Sequence, residues 1–296
     1  MSLVATLIAN PKGHALAAPL LDMARRAVNA TGIDMLAPGI ACDLVPSPDI
    51  GRDEAERRLR DALRGAPVDV AVQQAAGRRK SILIADMDST MIDQECIDEL
   101  ADYVGLKAHV AAITERAMRG ELPFEPALRE RVALLKDLPL SVIEETIRAK
   151  ITLAAGGKEL ISALKANSVY TCLVSGGFTL FTNVIAEKLG FDENRANELL
   201  LEDGKLTGKV KEPILGRAAK LATLQELTSR LGIRPEETIA IGDGANDLDM
   251  IAEAGLGVAY HAKPKVAEAA PARIEHGDLT ALLYIQGYRR DEFVEG

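Results

Sequence analysis

The chain has 296 residues, 48% of them hydrophobic and 27% charged, which is ordinary globular usage with length for two domains or for one with insertions. A formal charge of −9, spread along the sequence, together with no Trp and only 3% aromatics, argues against a nucleic-acid binder, which needs a basic face and stacking side chains. An anionic ligand must therefore be held by a few local cations and a metal, because the overall field repels it.

Leu3 to Ala9 predicts a strand; no basic leading region or cleavage pattern marks it as an export signal. Apolar residues recur at helical spacing from Ala15 to Ala30. Short strands are expected at Asp34–Ala37 and Ile40–Val45, a charged amphipathic helix at Arg52–Arg64, and a last strand at Val68–Gln73. This β-α-β-β-α-β order fits a small ferredoxin-like α+β module over residues 1–78, with Gly77-Arg-Arg-Lys80 as the junction. Cys42, Cys96 and Cys172 are widely spaced without a Cys-x-x-Cys pair, so reduced, buried thiols in a cytoplasmic protein are expected. No apolar run reaches the ~18 residues of a membrane span.

From Ser81 the pattern changes. Ser81-Ile-Leu-Ile-Ala85 is a continuous apolar run, as for a strand buried on both faces of a parallel sheet, and it ends in Asp86-Met-Asp-Ser-Thr90. Residues 95–150 are helical in pattern, with breaks near Gly105, Gly120 and Leu138-Pro139, and read as an insertion. Helix–strand alternation then resumes: helix Gly157–Ala166, strand Val169–Val174 ending in Ser175-Gly-Gly177, helix Thr179–Leu189. Leu199–Thr207 contains Glu-Asp-Gly-Lys, a hairpin signal. Helix Arg217–Leu231 precedes strand Thr238–Ile241, which ends in Gly242-Asp-Gly-Ala-Asn-Asp247; helix Leu248–Ala254 and short strands Gly257–Ala259 and Ala272–Ile274 follow. Such alternation predicts a doubly wound α/β parallel sheet over 79–296.

In open α/β sheets, ligands lie beyond the carboxyl ends of the strands, and three strands here finish in polar clusters. Asp86 and Asp88 lean to one side of an extended chain, and two adjacent carboxylates are tolerable if a divalent cation sits between them or one stays protonated. Read alone, the pair also fits a solvated loop or a calcium site. An EF-hand fails, because Met91 and Ile97 stand where its Gly and bidentate Glu belong. Asp243 offers another carboxylate for an oxygen-ligated cation, most simply Mg²⁺, while Asn246 or Asp247 alone also suits a helix N-cap. Ser175 and Gly176 can present a hydroxyl and backbone N–H groups to an oxyanion, or merely cap a helix. Lys220, alone on a helix, says nothing without the other motifs. No phosphate loop, nucleophile elbow or HExxH is present, and His14, His109, His261 and His276 lack ligand spacing.

With DMDST, LVSGG, a helical Lys and GDGAND in this order, residues 81–280 resemble the haloacid dehalogenase-like hydrolase superfamily. The insertion, with Asp93-Gln-Glu-Cys-Ile-Asp-Glu99 and the segment from Phe124 to Pro139, looks like the helical cap of its phosphoserine phosphatase branch. That resemblance implies a Rossmann-like core with a mobile cap over about residues 95–152 and an ACT-like N-terminal module, structural or dimerising. It implies a Mg²⁺-dependent phosphatase of O-phosphoserine, acting in serine biosynthesis; the alternatives are a phosphotransferase that passes the phosphoryl group to another alcohol and a non-catalytic amino-acid-binding regulator. Asp86 is then the nucleophile and Asp88 the acid–base; Asp86, Asp243 and the Asp88 backbone carbonyl hold the metal; Glu95, Arg131, Ser175, Gly176, Lys220 and Asn246 bind substrate. The expected partner is this small molecule, with a homodimer as the candidate assembly and neither nucleic acid nor membrane involved.

Overall fold

The computed structural model describes residues 2–13 and 16–294; His14 and Ala15, the latter the expected start of the first helix, lie outside the described residues. The N-terminal unit runs β1 (Leu3–Ala9), α1 (Ala18–Ala27), β2 (Gly32–Ala37), β3 (Ala41–Val45), α2 (Arg52–Ala62) and β4 (Val68–Gln74). Its antiparallel sheet has the order β2-β3-β1-β4, the ferredoxin-like arrangement that the pattern predicts. Side chains alternate across each strand, so Ala5, Leu7 and Ala9 of β1 face α1 and α2 and pack with Val28, Leu59 and Leu63. The opposite face, through Ile8, Leu36, Ala41 and Ala71, joins the hydrophobic core of the rest of the chain. Both faces are covered, which explains why β1 is apolar almost throughout.

Polar contacts reinforce this union. The buried carboxylate of Asp69, on β4, accepts backbone N–H bonds from Glu275 (2.7 Å), His276 (3.1 Å) and Gly277 (2.7 Å). Gln73 Nε2 donates to the Ile285 carbonyl at 2.6 Å.

The larger unit opens with β5 (Ile82–Ala85), followed by the helical insertion α3 (Cys96–Asp102), α4 (Lys107–Met118), α5 (Phe124–Ala133) and α6 (Leu140–Ala149). There follow α7 (Gly157–Ala166), β6 (Tyr170–Phe178), α8 (Thr179–Leu189), β7 (Glu193–Asn197), β8 (Leu199–Glu202), β9 (Lys205–Val210) and α9 (Arg217–Leu231). The chain continues through β10 (Thr238–Gly242), α10 (Leu248–Glu253), β11 (Leu256–Tyr260), α11 (Pro264–Ala269), β12 (Ala272–Ile274) and α12 (Ala281–Ile285). The sheet order is β12-β11-β10-β5-β6-β7, parallel throughout. Strand order reverses between β5 and β10, so the crevice at their carboxyl ends is the topological switch point where such sheets bind ligands. Among the described residues, no helix is long and apolar enough to cross a membrane.

One expectation needs correction, and three elements carried no expectation. The strand expected to stop at Val174 runs on to Phe178, so Ser175-Gly-Gly177 lies within β6, where the ladder to β7 shifts register. β7 itself, Glu-Asn-Arg-Ala-Asn, carries no strand pattern, because an edge strand is held by backbone pairing to β6 rather than by apolar burial. Helices α11 and α12 also escaped prediction; α12 is only five residues of buried apolar side chain, too short a run to reveal its period. The hairpin β8–β9 turns, as expected, on Asp203 (φ 50°) and Gly204 (φ 73°), both left-handed.

Candidate active site

β5 delivers Asp86 and β10 delivers Asp243 to the switch point, both buried. Carboxylate oxygens of Asp86, Asp243 and Asp247 lie within 4.8 Å of one another. Asp247, which in sequence suits an N-cap, occupies that position for α10 but makes no side-chain cap bond. Its Oδ2 accepts the Gly244 N–H at 3.1 Å, and its Oδ1 meets Lys220 Nζ at 2.7 Å. Gly242 makes room for this, since a Cβ there would lie 2.3 Å from Asp247 Cγ.

Lys220, completely buried on α9, also contacts Asp86 Oδ1 at 2.7 Å. One ammonium thus faces two carboxylates, which holds its pKa above the ordinary lysine value against burial. The opposite effect acts on the acids. Burial, then the charge of Asp247, pushes Asp86 well above the usual carboxylate range, with Lys220 opposing. Asp243 is raised to about 7 by burial and by Asp247, with Lys263 and Lys220 opposing.

The Asp88 side chain stands outside the acidic cluster. Its Oδ1 accepts the Cys96 N–H at 2.8 Å, and its Oδ2 lies 3.1 Å from Ser175 Oγ. Ser175 Oγ in turn accepts the Gly177 N–H at 2.8 Å. A hydroxyl can donate or accept, so the Ser175 contact suits Asp88 in either protonation state.

The cap supplies the other wall. Glu95, just before α3, accepts a 2.8 Å bond from Ser89 Oγ. Burial first, then Asp88 and Asp243, pushes its carboxyl well above the usual range. Ser89 has φ 54°, a left-handed backbone disfavoured for side-chain-bearing residues, and this sharp turn brings its hydroxyl to Glu95. Arg131, on α5, is only 2% exposed. Its Nε donates to the Ala127 carbonyl at 3.0 Å and one Nη to Thr114 Oγ1 at 2.9 Å. Ile97, Met118, Phe124, Leu128 and Phe178 complete the apolar lining.

The cavity enclosed by Asp86, Asp88, Glu95, Arg131, Gly176, Asp243 and Asn246 measures about 30 Å³. That admits two or three waters, at roughly 10–15 Å³ each, and nothing of amino-acid size. Cap and core therefore lie close together here, and a ligand of that size needs more room than they leave.

A cation fits the donor set. Asp243 Oδ2 and Asn246 Oδ1 are buried without a hydrogen-bond partner, acceptors whose desolvation costs about 1–3 kcal/mol each when nothing electropositive meets them. Three carboxylates in one buried cluster suit a hard, oxygen-ligated divalent ion.

The expected residues Asp86, Asp88, Glu95, Arg131, Gly176, Asp243 and Asn246 thus share one cavity, with Ser175 and Lys220 bonded to its walls. Sequence reading missed the contributions of Asp247, Ser89, Thr114 and Phe124. The second acid of Gly-Asp-Gly-Ala-Asn-Asp was the one available signal, for Asp247; the others carry none.

Residues 83–252 match the family described as haloacid dehalogenase-like hydrolase. The chain belongs to this family. It is 47% identical over 224 residues to a phosphoserine phosphatase of Polaromonas sp., covering 74% of this chain and 95% of that protein. Among solved structures, a phospho-aspartyl intermediate analogue of phosphoserine phosphatase is 44% identical, with a TM-score of 0.67 over 70% of this chain and 98% of that one. An unliganded probable phosphoserine phosphatase from Vibrio cholerae is 33% identical with a TM-score of 0.76 and covers 98% of this chain and 88% of its own, so the likeness extends over the N-terminal unit.

Proposed function

We propose that the protein hydrolyses O-phosphoserine to serine and phosphate through a covalent phosphoryl-Asp86. The observation carrying this reading is that Asp86 and Asp243 of the acidic cluster line one cavity with Glu95 and Arg131. A phosphate ester needs its charge neutralised before a carboxylate can attack it, whereas an amino acid needs one anion and one cation to be recognised. Both demands meet here.

Asp86, Asp243 and Asp247, with the Asp88 backbone carbonyl by family likeness, would hold Mg²⁺, which when bound offsets the charge of the phosphate. Lys220 holds Asp86 by a 2.7 Å contact and adds a fixed positive charge beside the attacking oxygen. Asp86 attacks phosphorus as the serine oxygen leaves, and Asp88 gives that oxygen its proton. Asp88 then takes a proton from the water that cleaves the aspartyl phosphate, returning both residues to their starting states. Ser175 and the Gly176 backbone hold the phosphoryl oxygens, with Asn246 beside them. Arg131 receives the substrate carboxylate and Glu95 its ammonium. Closure of the cap keeps bulk water from the transfer.

We read residues 1–78 as an ACT-like module and 79–296 as the catalytic domain, with the cap at about 95–152, in a cytoplasmic enzyme. The test is a phosphate-release screen over phosphoserine, phosphothreonine, phosphoglycolate and sugar phosphates, with Mg²⁺ or with EDTA. Phosphoserine should dominate, only with Mg²⁺, and Asp86→Asn should abolish both turnover and trapping of labelled phosphate. Trapping retained at another residue, or a preference for sugar phosphates, would overturn this assignment.

A further inference from the structure

Arg131 reaches the cavity on a long side chain that carries about 2 kcal/mol of rotamer entropy, so its aim depends on what restrains it. Two contacts do so. Nε is bonded one turn back on its own helix to the Ala127 carbonyl, and Nη1 is bonded across the cap to Thr114 Oγ1 on α4.

The chemistry of the groups fixes the direction of the second contact. A guanidinium only donates, so the Thr114 oxygen accepts there and its single proton must go elsewhere. Asp98 Oδ1, on α3, lies 2.7 Å from Thr114 Oγ1, while the alternative acceptor, the Val110 carbonyl, is at 3.0 Å. The closer and charged acceptor is Asp98. The result is a one-way relay, from Arg131 N–H to the Thr114 hydroxyl to the Asp98 carboxylate, that ties three cap helices together.

The relay also keeps a carboxylate one hydroxyl away from the guanidinium. Among the described residues, no carboxylate oxygen lies within 4.0 Å of an Arg131 nitrogen, although the side chain is almost wholly buried. A direct partner would have neutralised it and competed with any anionic ligand. With Thr114 interposed, Asp98 supports the buried positive charge without occupying its donor edge, and among the described residues only two of the five N–H groups find an acceptor.

We propose that Thr114 and Asp98 are positioning residues that set the selectivity of this site for a carboxylate-bearing substrate, by aiming Arg131 while leaving it unpaired. This rests on the reading that Arg131 receives the substrate carboxylate. O-phosphoethanolamine is the discriminating probe, because it differs from phosphoserine only in lacking that group.

Thr114→Val preserves shape and removes the hydroxyl. It should raise KM for phosphoserine about tenfold, the effect of losing one hydrogen bond to a charged group, with kcat changed less than twofold. Kinetics on phosphoethanolamine, or on an aryl phosphate if that ester turns over too slowly, should stay within twofold of the parent. Thr114→Ser should restore phosphoserine use, and Thr114→Val should have no further effect in an Arg131→Ala background. Asp98→Asn, which keeps an acceptor oxygen but no charge, should show the same substrate split at about threefold, and serves if Thr114→Val does not fold. Equal losses on both substrates, full additivity with Arg131→Ala, or no rescue by Ser would overturn the inference. Selective loss in Arg131→Ala without it in Thr114→Val would overturn the relay alone. No selective loss in either variant would remove the Arg131 assignment as well.

Discussion

Asp243→Asn separates the stability of the site from its ability to hold a cation. Asp243 is 2% exposed, its Oδ2 has no hydrogen-bond partner, and burial with Asp247 raises its pKa from 3.8 to about 7. A carboxyl whose pKa is higher in the folded than in the unfolded chain favours folding while protonated. Its contribution is fully present below about pH 4 and is lost as pH rises to about 7. Above that, ionisation holds the metal-free protein about 4 kcal/mol below what a neutral group of the same shape would allow, at ~1.36 kcal/mol for each pH unit. Asparagine is such a group, and the Asp86 and Asp247 carboxylates beside it can accept its N–H bonds. In EDTA at pH 8, Asp243→Asn should therefore be more stable than the parent by about 2–4 kcal/mol. At pH 5 the difference should shrink to under about 1.5 kcal/mol, because the parent carboxyl is then protonated in the folded state. With Mg²⁺ the order should turn: the parent gains about 4.1 kcal/mol at one thousand times its Kd, and the variant, short of one anionic ligand, gains little. Urea unfolding at both pH values, with EDTA or Mg²⁺, measures all of this. A variant less stable than the parent in EDTA at pH 8, or one that gains as much from Mg²⁺, would refute the reasoning.

Two further substitutions probe how the pieces are held together. A Cβ on Gly176 would lie 2.6 Å from Phe124 Cζ, so Gly176→Ala should keep the cap from closing and lower kcat/KM at least about tenfold. Adding Phe124→Leu should recover most of that loss; a double variant no better than Gly176→Ala would place the damage in the phosphate-binding backbone instead. Asp69→Ala removes the acceptor of the N–H groups of Glu275, His276 and Gly277, and should cost about 3 kcal/mol in urea unfolding. If the two units were independent, that variant would instead show an early transition confined to the N-terminal unit, with the cation-dependent transition unmoved.

Local chemistry determined much of this protein. Alternation and continuous apolar runs place the elements from Leu3 to Gln73 and, apart from β7 and the separate helices of the insertion, those from Ser81 to Ile241 within a few residues, because burial imposes a period that each segment carries in itself. The polar clusters at strand ends point to one crevice for the same reason: a parallel sheet brings the carboxyl ends of its strands to one side. Where the period was short or absent, as in α12 and in the polar edge strand β7, neighbouring elements supplied the order and sequence was silent.

Tertiary structure alone decided how the groups combine. It turned Asp247 from a capping candidate into a partner of Lys220 and of the acidic cluster, and sent the Asp88 carboxylate away to Cys96 and Ser175. It set Thr114 between Arg131 and Asp98, and laid the open face of the N-terminal sheet on the core. A segment's periodicity records which side of it is buried but not what it is buried against, and partners such as Asp86 for Lys220 and Ser175 for Asp88 come from residues tens to hundreds of positions away.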